Sequence, residues 1–362
     1  MTAIASASRS IRAAGRTAVF VLKVLPMLPS RPLDFVTPRP VVDRIAYPTV
    51  NGIAEGELYR PASRGPHPGI VVCLGVVPFG VEHPQVPRLG AALARAGFAA
   101  LLYWSPAMRE FRLDPEDIES IALAYQTLLA EPYIDEHRSG LFGTCVGGSF
   151  AIMAGASPLI RDRVAFVGAF APYGSLSSLA RDIASGSCMH GTERRPWQVD
   201  QLTRKVFVHS ITAPLDPDAA RALRDAFETE GGGRVERDLS NDGRAVYALL
   251  DAADAEGAER ALEELPAEMQ AGLEELSPVS YVRDLRAPLI AISHDRDDTV
   301  IPVDESRRLR SALSGRPGVH YAEFAMFQHA DPTERNLSPP QLLWQLRTLY
   351  LWLYAMFRKA VA

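Results

Sequence analysis

Cysteines and metal-binding motifs are scarce in this chain of 362 residues. Its three cysteines, Cys73, Cys145 and Cys188, are too few and too scattered for a disulfide framework or a zinc site. The eight histidines are spread singly along the chain, and none belongs to an HExxH motif. We therefore expect no metal and no cofactor, and the low cysteine content favours a reducing, cytoplasmic compartment.

An excess of positive charge is also absent. The chain has 38 Lys and Arg against 43 Asp and Glu, which gives a net charge of −5. No overall positive field is available to hold nucleic acid, so we expect no nucleic-acid partner. The composition is 47% hydrophobic and 22% charged, which excludes a disordered chain. The length fits one large domain or a domain that carries an insertion.

The N-terminal region has no acidic residue in its first 31 positions. Its apolar run, residues 18–28, contains Lys23 and Pro26 and is shorter than the ~20 apolar residues that a membrane span needs. The basic residues before and around this run are Arg9, Arg12, Arg16, Lys23 and Arg31. We expect residues 1–44 to form an extension whose helix packs on the body of the protein, with peripheral membrane contact as the alternative.

Apolar runs typical of strands alternate with helical patterns along most of the chain. Residues 45–62 alternate and turn like the opening of a β-meander. The strand-like runs are 68–75, 99–104, 138–143, 164–174, 287–293 and 321–327, and the helical patterns are 86–98, 115–130, 149–156, 304–313 and 341–357. This alternation predicts an α/β body, residues 45–174 and 281–362, with a mostly parallel sheet covered by helices on both faces.

Residues 175–280 interrupt this alternation, because they show helical patterns and no confident pair of strands. Within 214–276 there are 17 acidic residues and six arginines, a local net charge of −11. Near 259–276 an apolar stripe predicts one helix that packs against another surface. The stripe consists of Leu262, Leu265, Met269, Leu273 and Leu276. The glycines at 231–233 are typical of a flexible joint. The segment is expected to be an acidic helical cap inserted into the body.

The most informative stretch, residues 140–149, reads as a strand, then Gly-Thr-Cys-Val-Gly-Gly, then a helix. A nucleophile at a sharp strand-to-helix turn adopts a strained backbone, and only small residues fit two positions before and after it. Gly143 and Gly147 occupy these positions around Cys145. The dipole of the following helix would stabilise a thiolate there. Cys145 is the predicted nucleophile, whereas the other two cysteines fit inert, packed positions.

A nucleophile needs a general base, and the base needs an orienting acid. One predicted strand leads into a loop that contains Asp295, Asp297 and Asp298, and the last predicted strand leads into a loop with His329. Both loops would lie on the sheet edge that carries Cys145. The chain order of nucleophile, acid and histidine is that of the nucleophile-elbow enzymes.

These motifs together resemble the α/β-hydrolase superfamily, over roughly residues 45–174 and 278–357. The Gly-Thr-Cys-Val-Gly-Gly elbow is similar to that of its dienelactone hydrolase-type branch, in which cysteine replaces the commoner serine. The resemblance implies the α/β-hydrolase fold with an inserted cap. It selects Asp298, four residues before a proline, as the triad acid, and His329 as the base. Asp295 and Asp297 remain alternatives for the acid.

The resemblance also implies a role for each residue. Cys145 would attack an acyl carbon, His329 would take the thiol proton and later activate water, and Asp298 would orient the imidazole. The backbone N–H groups of Val146 and Val76 would hold the oxyanion, with Val77 as the alternative to Val76.

Several positions depart from the family or compete with these assignments. Dienelactone hydrolases carry a glutamate near the start of the oxyanion loop, where this chain has Gly75, and Glu82 follows a few residues later. His320 precedes its strand and is a poorer base than His329, and His294 is interpreted as structural. The lactone substrate therefore does not transfer from the resemblance.

The sequence thus predicts a hydrolase that cleaves an ester, lactone or thioester through a Cys-His-Asp triad and an acyl-enzyme intermediate. An acyltransferase with the same triad is one alternative, and a non-catalytic ligand-binding protein of the same fold is the other. Because an acidic cap would repel anions at the entrance, we expect a neutral, apolar acyl substrate.

Overall fold

The architecture is that of a central sheet with helices on both faces. The computed structural model describes residues 2–25, 35, 37–76, 83–229, 235, 238–327 and 337–361. The strands are β1 (Val41–Thr49), β2 (Gly52–Arg60), β3 (His67–Cys73), β4 (Ala99–Tyr103), β5 (Ile134–Thr144), β6 (Phe166–Phe170), β7 (Ser187–His190), β8 (Glu193–Pro196), β9 (Ile290–Asp295) and β10 (Val319–Phe324).

Thirteen helices are found in the described part of the chain, together with a short 3-10 turn at Pro278–Tyr281. They are α1 (Thr2–Val24), α2 (Gln85–Arg95), α3 (Pro106–Arg109), α4 (Glu116–Ala130), α5 (Val146–Gly155), α6 (Leu176–Ser185), α7 (Gln201–Ile211), α8 (Pro217–Phe227), α9 (Asn241–Leu250), α10 (Ala255–Glu263), α11 (Ala267–Glu275), α12 (Val303–Ala312) and α13 (Pro339–Val361).

Eight strands form the main sheet, in the order β1-β2-β4-β3-β5-β6-β9-β10. The pairs β1–β2 and β2–β4 are antiparallel, and every later pair is parallel. The central strands β3, β4, β6 and β9 are buried along their whole length, as expected for strands covered on both faces. The predicted fold class, a mostly parallel α/β sheet, is therefore confirmed.

Two hydrophobic clusters cover the two faces of this sheet. One contains α4 and α5 together with helices of the 175–280 segment, and the other contains α1, α2 and α13. The strand order reverses at β3, which lies between β4 and β5. Ligands of open α/β sheets bind at the carboxyl ends of the strands beside such a reversal. The fold therefore points to the loops that follow β3 and β5.

The 175–280 segment differs from its prediction in two respects. First, β7 and β8 form an antiparallel hairpin, although no strand pair was predicted there. Each strand has only four residues, and β8 is exposed throughout, so the period-2 pattern of a buried strand is missing. Second, the predicted single helix at 259–276 is two helices, α10 and α11, that meet at Pro266, which precedes α11. Proline has no N–H to continue a helix, so the chain turns there.

The apolar stripe of this region is nevertheless buried. Leu265, Met269, Leu273 and Leu276 are all in the core, and Leu262 is half-buried. The predicted joint at 231–233 lies outside the described residues. The acidic stretch of residues 214–276 begins with α8. The buried Leu223 and Phe227 of this helix belong to the same core cluster as the apolar stripe.

Helix α1 packs on the body along one face. Ala13, Phe20 and Val21 are buried, and the Tyr350 hydroxyl of α13 donates to the Ala14 carbonyl at 3.0 Å. Among the described residues, no helix combines the length and the apolar composition that crossing a membrane requires.

Candidate active site

Cys145 lies at the sharp turn between β5 and α5. Its backbone has φ 56° and ψ −138°, a conformation that residues other than glycine rarely adopt. The turn is held by two hydrogen bonds: the Cys145 N–H donates to the Phe170 carbonyl at 2.8 Å, and the Gly148 N–H donates to the Cys145 carbonyl at 2.9 Å. Such strain persists only where the surrounding structure enforces it, and it clusters at functional sites.

The glycines around Cys145 are required by close backbone contacts. A Cβ on Gly143 would lie 2.1 Å from the Gly147 carbonyl oxygen. A Cβ on Gly147 would lie 2.2 Å from the Cys73 carbonyl oxygen and 2.5 Å from the Gly75 nitrogen. Any larger residue at either position would displace the turn, which is the packing requirement that the sequence motif predicted.

The loop after β3 lies directly against this turn. The Thr144 hydroxyl donates to the Leu74 carbonyl at 3.1 Å, and Val76 lines the same cavity as Cys145 and Val146. Val146 is the first residue of α5, so its N–H has no acceptor within the helix. The structure thus brings Val76 and Val146, the two predicted oxyanion donors, to the cavity that contains the Cys145 thiol. Val77 and Glu82 lie outside the described residues.

The two remaining cysteines and Ser149, the hydroxyl four residues after Cys145, occupy different environments. Cys73 is buried inside β3, and burial raises the pKa of its thiol. Cys188 is half-buried in β7, where burial raises its pKa to about 11. Ser149 is fully buried within α5, and its hydroxyl donates to the Tyr173 carbonyl at 3.0 Å. None of these three side chains lines the cavity beside the turn.

Asp298 lies in the loop after β9 with a fully buried carboxylate. One oxygen, Oδ1, accepts the N–H groups of Val300 at 2.8 Å and Ile301 at 3.0 Å. The other, Oδ2, lies 3.4 Å from Nε2 of His294. Because Val300 and Ile301 also line the cavity, the loop that fixes this carboxylate forms part of the cavity wall.

The two rival acids have different surroundings. Asp295 is fully buried, and its Oδ2 accepts the N–H groups of Met326 at 2.9 Å and Phe327 at 2.7 Å. Its Oδ1 accepts the N–H of Asp297 at 3.0 Å. It therefore fixes the loops that follow β9 and β10. The third candidate, Asp297, is exposed to solvent.

The three candidate histidines also differ in their surroundings. His329 follows Phe327 by two residues and lies outside the described residues. His320 is an exposed residue of β10. His294 is fully buried, and its Nε2 lies 2.9 Å from the Ile301 carbonyl oxygen, which agrees with a structural interpretation.

Cys145 lines a cavity of about 930 Å³. Its wall is mostly apolar and comes from both sides of the site. The 175–280 segment contributes Leu176, Leu179, Ile183, Val206, Phe207, Met269 and Leu273, and the opposite side contributes Phe20, Val24, Val86, Leu89, Trp352 and Leu353. A pocket of this size and polarity fits an extended apolar ligand.

Few charged side chains reach this cavity. Among the described residues that line it, the charged ones are Arg88, Arg112 and Glu268. Arg112 is paired with Asp114 at 2.6 Å, so its charge is already balanced. In the described part of the chain, no group of three His, Cys, Asp or Glu side chains is arranged to hold a metal ion.

The sequence motifs gave no signal for much of this wall. Phe20 and Trp352 belong to helices at opposite ends of the chain, and nothing local marks either residue as a neighbour of Cys145. The positioning contact from Asp295 to the loop after β10 was also missed, because Asp295 was considered only as a rival acid. The strongly apolar composition of the predicted closing helix, residues 341–357, was the available hint of a buried inner face.

Comparison with known proteins agrees with this architecture. No family model matches the chain. A probable 2-oxo-3-(5-oxofuran-2-ylidene)propanoate lactonase from Bradyrhizobium sp. is 30% identical over 188 residues, which cover 44% of this chain and 73% of the relative. A solved acylaminoacyl peptidase, in complex with Z-Gly-Gly-Phe-chloromethyl ketone, matches 88% of this chain with a TM-score of 0.50 and 15% identity. This chain spans only 42% of that peptidase.

A second solved structure, the 2,6-dihydroxy-pseudo-oxynicotine hydrolase, is similar with a TM-score of 0.50 and 14% identity. The match covers 86% of this chain and 68% of the hydrolase. The sheet, its covering helices and the strained turn therefore define a protein of the α/β-hydrolase fold. Within that fold, the chain belongs to the same family as the Bradyrhizobium lactonase.

Proposed function

We propose that this protein is a hydrolase that cleaves a neutral, apolar ester, lactone or thioester through an acyl-enzyme formed on Cys145. The observation that carries the proposal is the left-handed backbone of Cys145 between two glycines that have no room for a side chain. An inert cysteine has no need of this strained position. The likeness of the elbow to the dienelactone hydrolase branch and the lactonase relative support the same class of reaction.

In the proposed first step, the Cys145 sulfur attacks the acyl carbon while His329 takes the thiol proton. The carbon–sulfur bond forms, the carbonyl oxygen becomes an oxyanion, and the N–H groups of Val146 and Val76 stabilise it. Each such donor contributes roughly 2.7–4 kcal/mol in the transition state. The bond to the leaving alcohol or thiol then breaks, and the leaving group takes the proton from His329.

In the second step, His329 removes a proton from water, and the resulting hydroxide attacks the thioester carbon. The carbon–sulfur bond breaks, the acid is released, and the proton returns to the thiolate. Asp298 would hold the imidazole in one tautomer and stabilise its positive charge. Its Oδ1 already accepts two backbone N–H groups, so the carboxylate is fixed before any substrate binds.

The 175–280 segment is proposed to act as the cap of a catalytic body formed by residues 45–174 and 281–362. Helices α6, α7 and α11 supply one side of the cavity. Glu305 of α12 supports the start of this segment, since its carboxylate accepts the N–H groups of Gly174 and Ser175, both at 2.9 Å. The cap would therefore determine which acyl groups fit.

The test is turnover of a panel of p-nitrophenyl esters, thioesters and lactones by the purified protein and its Cys145→Ala variant. We expect hydrolysis by the wild type and a loss of at least about 10³-fold in the variant, because nothing else supplies the nucleophile. Cys188→Ala, a change of the same chemistry outside the cavity, should keep full activity. Equal activity in Cys145→Ala would refute the proposal, and wild-type binding of these compounds without turnover would favour the ligand-binding alternative.

A further inference from the structure

Large apolar side chains are exposed on the outer faces of the first and last helices. Ile11 of α1 is 72% exposed. On α13, Leu343, Trp344 and Leu351 are 70%, 61% and 46% exposed. With Arg347, these α13 residues recur at spacings of three and four, so they form one face of the helix.

The two helices lie side by side and run in the same direction. Tyr350 bonds to Ala14, and seven residues later Phe357 packs against Phe20 with ring centroids 5.6 Å apart. This register places Ile11 at about the level of Arg347. The exposed apolar residues thus lie at similar heights on neighbouring, parallel helices, and we call the exposed surface of this helix pair the α1–α13 face.

The charges carried by the three helices on this side of the sheet have one sign. Helices α1, α2 and α13 together contain nine Lys and Arg and no Asp or Glu, although the whole chain has a net charge of −5. The exposed basic residues of α1 and α13 are Arg9, Arg12, Arg347 and Arg358. Within the described residues, none of these four forms an ion pair with an acid. The face is thus basic and apolar together.

From this combination we infer that the α1–α13 face binds an anionic lipid surface. Tryptophan and leucine beside arginine, on a helix that does not cross the membrane, are typical of helices that lie in the interface. These arginines, which form no ion pair with a described acid, match the negative potential of anionic headgroups. The sequence favoured packing of α1 on the body over membrane contact, but the structure permits both, because packing uses only the inner face.

This inference goes beyond the proposed hydrolysis and does not depend on it. The inner faces of the same two helices line the cavity through Phe20 and Val24 on α1 and Leu349 and Trp352 on α13. A protein docked by the α1–α13 face would therefore hold this wall of the cavity beside the lipid. Apolar esters dissolved in the bilayer would then be near the Cys145 site.

The test is sedimentation of the full-length protein with large unilamellar vesicles of phosphatidylcholine, with and without an equal amount of phosphatidylglycerol. We expect binding to the anionic vesicles that falls as salt is raised, and weak binding to phosphatidylcholine alone. Trp344→Ser with Leu343→Ser, and separately Arg347→Gln with Arg358→Gln, should each lower the partition coefficient about tenfold. Ile53→Ser, which removes an 82% exposed side chain from β2, is the matched control and should bind like the wild type.

Quenching by brominated lipid gives a second readout, since Trp344 is the most exposed of the four tryptophans. Quenching should occur in the wild type and disappear in Trp344→Phe, which should still bind. No binding to anionic vesicles, equal binding to neutral ones, or an equal loss in Ile53→Ser would overturn the inference. So would a dimer, seen without vesicles, that Trp344→Ser dissociates, because the face would then join two copies of the chain.

Discussion

The Asp295 carboxylate accepts the backbone N–H of Phe327 at 2.7 Å, and so ties the end of β9 to the chain two residues before His329. The neighbouring carboxylate of Asp298 is held by its own loop instead, through Val300 and Ile301. Two buried acids only three positions apart along the chain thus have different surroundings. Asp295 holds the start of the loop after β10, and Asp298 is the acid proposed for the triad.

This division of tasks predicts different kinetic effects for the two acids. Asp298→Asn should lower kcat by about 10⁴-fold while the protein stays folded, because the imidazole would be held in the wrong tautomer. Asp295→Asn should lower the free energy of unfolding by roughly 1–3 kcal/mol, because a buried carboxylate that accepts three backbone N–H groups is replaced. Steady-state kinetics and denaturant unfolding of both variants, with Asp297→Asn as the exposed control, provide the measurement. A larger kcat loss in folded Asp295→Asn or Asp297→Asn would move the triad acid there.

The turn at Cys145 predicts a second effect, on stability. Gly147→Ala should lower the free energy of unfolding by about 3 kcal/mol or more, because the added Cβ meets the Cys73 carbonyl oxygen at 2.2 Å. Gly15→Ala, in a helix with no atom within 4 Å of the new Cβ, should raise it by about 0.5–1 kcal/mol. Urea unfolding of both variants checks the pair. A Gly147→Ala protein as stable as the wild type would show that the turn relaxes freely.

Burial raises the pKa of Glu305 above its ordinary value of 4.5, although the Gly174 and Ser175 N–H groups and the nearby Arg308 oppose this shift. The folded protein therefore binds more protons than the unfolded chain, and stability falls as pH rises from about 4.5 through the higher pKa of the folded state. Glu305→Gln removes the titrating group, so this fall should be smaller in the variant. The measurement is the unfolding free energy of the wild type, of Glu305→Gln and of the exposed control Glu119→Gln across that pH range. Identical pH profiles for the wild type and Glu305→Gln would contradict the assignment.

The apolar cavity predicts a preference for longer acyl chains. Each added methylene should raise kcat/KM about fourfold until the cavity is filled, which corresponds to about 0.8 kcal/mol per buried CH₂. Leu179→Trp narrows the cavity on the α6 side and should lower kcat/KM for octanoyl esters while leaving acetyl esters unchanged. Leu159→Trp, the same change at a side chain that is 42% exposed and outside the cavity, is the control. A chain-length profile that Leu179→Trp leaves unaltered would mean that the acyl group binds elsewhere.

The sequence predicted the sheet and the Cys145 turn because both leave local patterns. The strands β3, β4 and β9 are short apolar runs bounded by turns, and the Gly143–Cys145–Gly147 spacing is a steric requirement of one backbone geometry. The break at Pro266 was visible as a proline, yet the apolar stripe on both sides of it outweighed that signal. The exposed hairpin of β7 and β8 leaves no alternating pattern at all.

Contacts between distant parts of the chain were beyond such patterns. No local signal brings α1 beside α13, and the cavity wall contains residues from both ends of the chain and from the 175–280 segment. Likewise, the role of Asp295 depends on where the loop after β10 passes. These features arise from tertiary packing, which a single sequence does not record.

The most direct test of the account is capture of the acyl-enzyme. The protein is mixed with an excess of an activated neutral ester, such as p-nitrophenyl octanoate, quenched in acid within seconds, and analysed by intact mass and peptide mapping. We expect one added acyl group, on the peptide that contains Cys145, in the wild type, in Cys73→Ala and in Cys188→Ala, and no addition in Cys145→Ala. Hydrolysis that continues in Cys145→Ala, or an acyl group found only on another residue, would contradict the account.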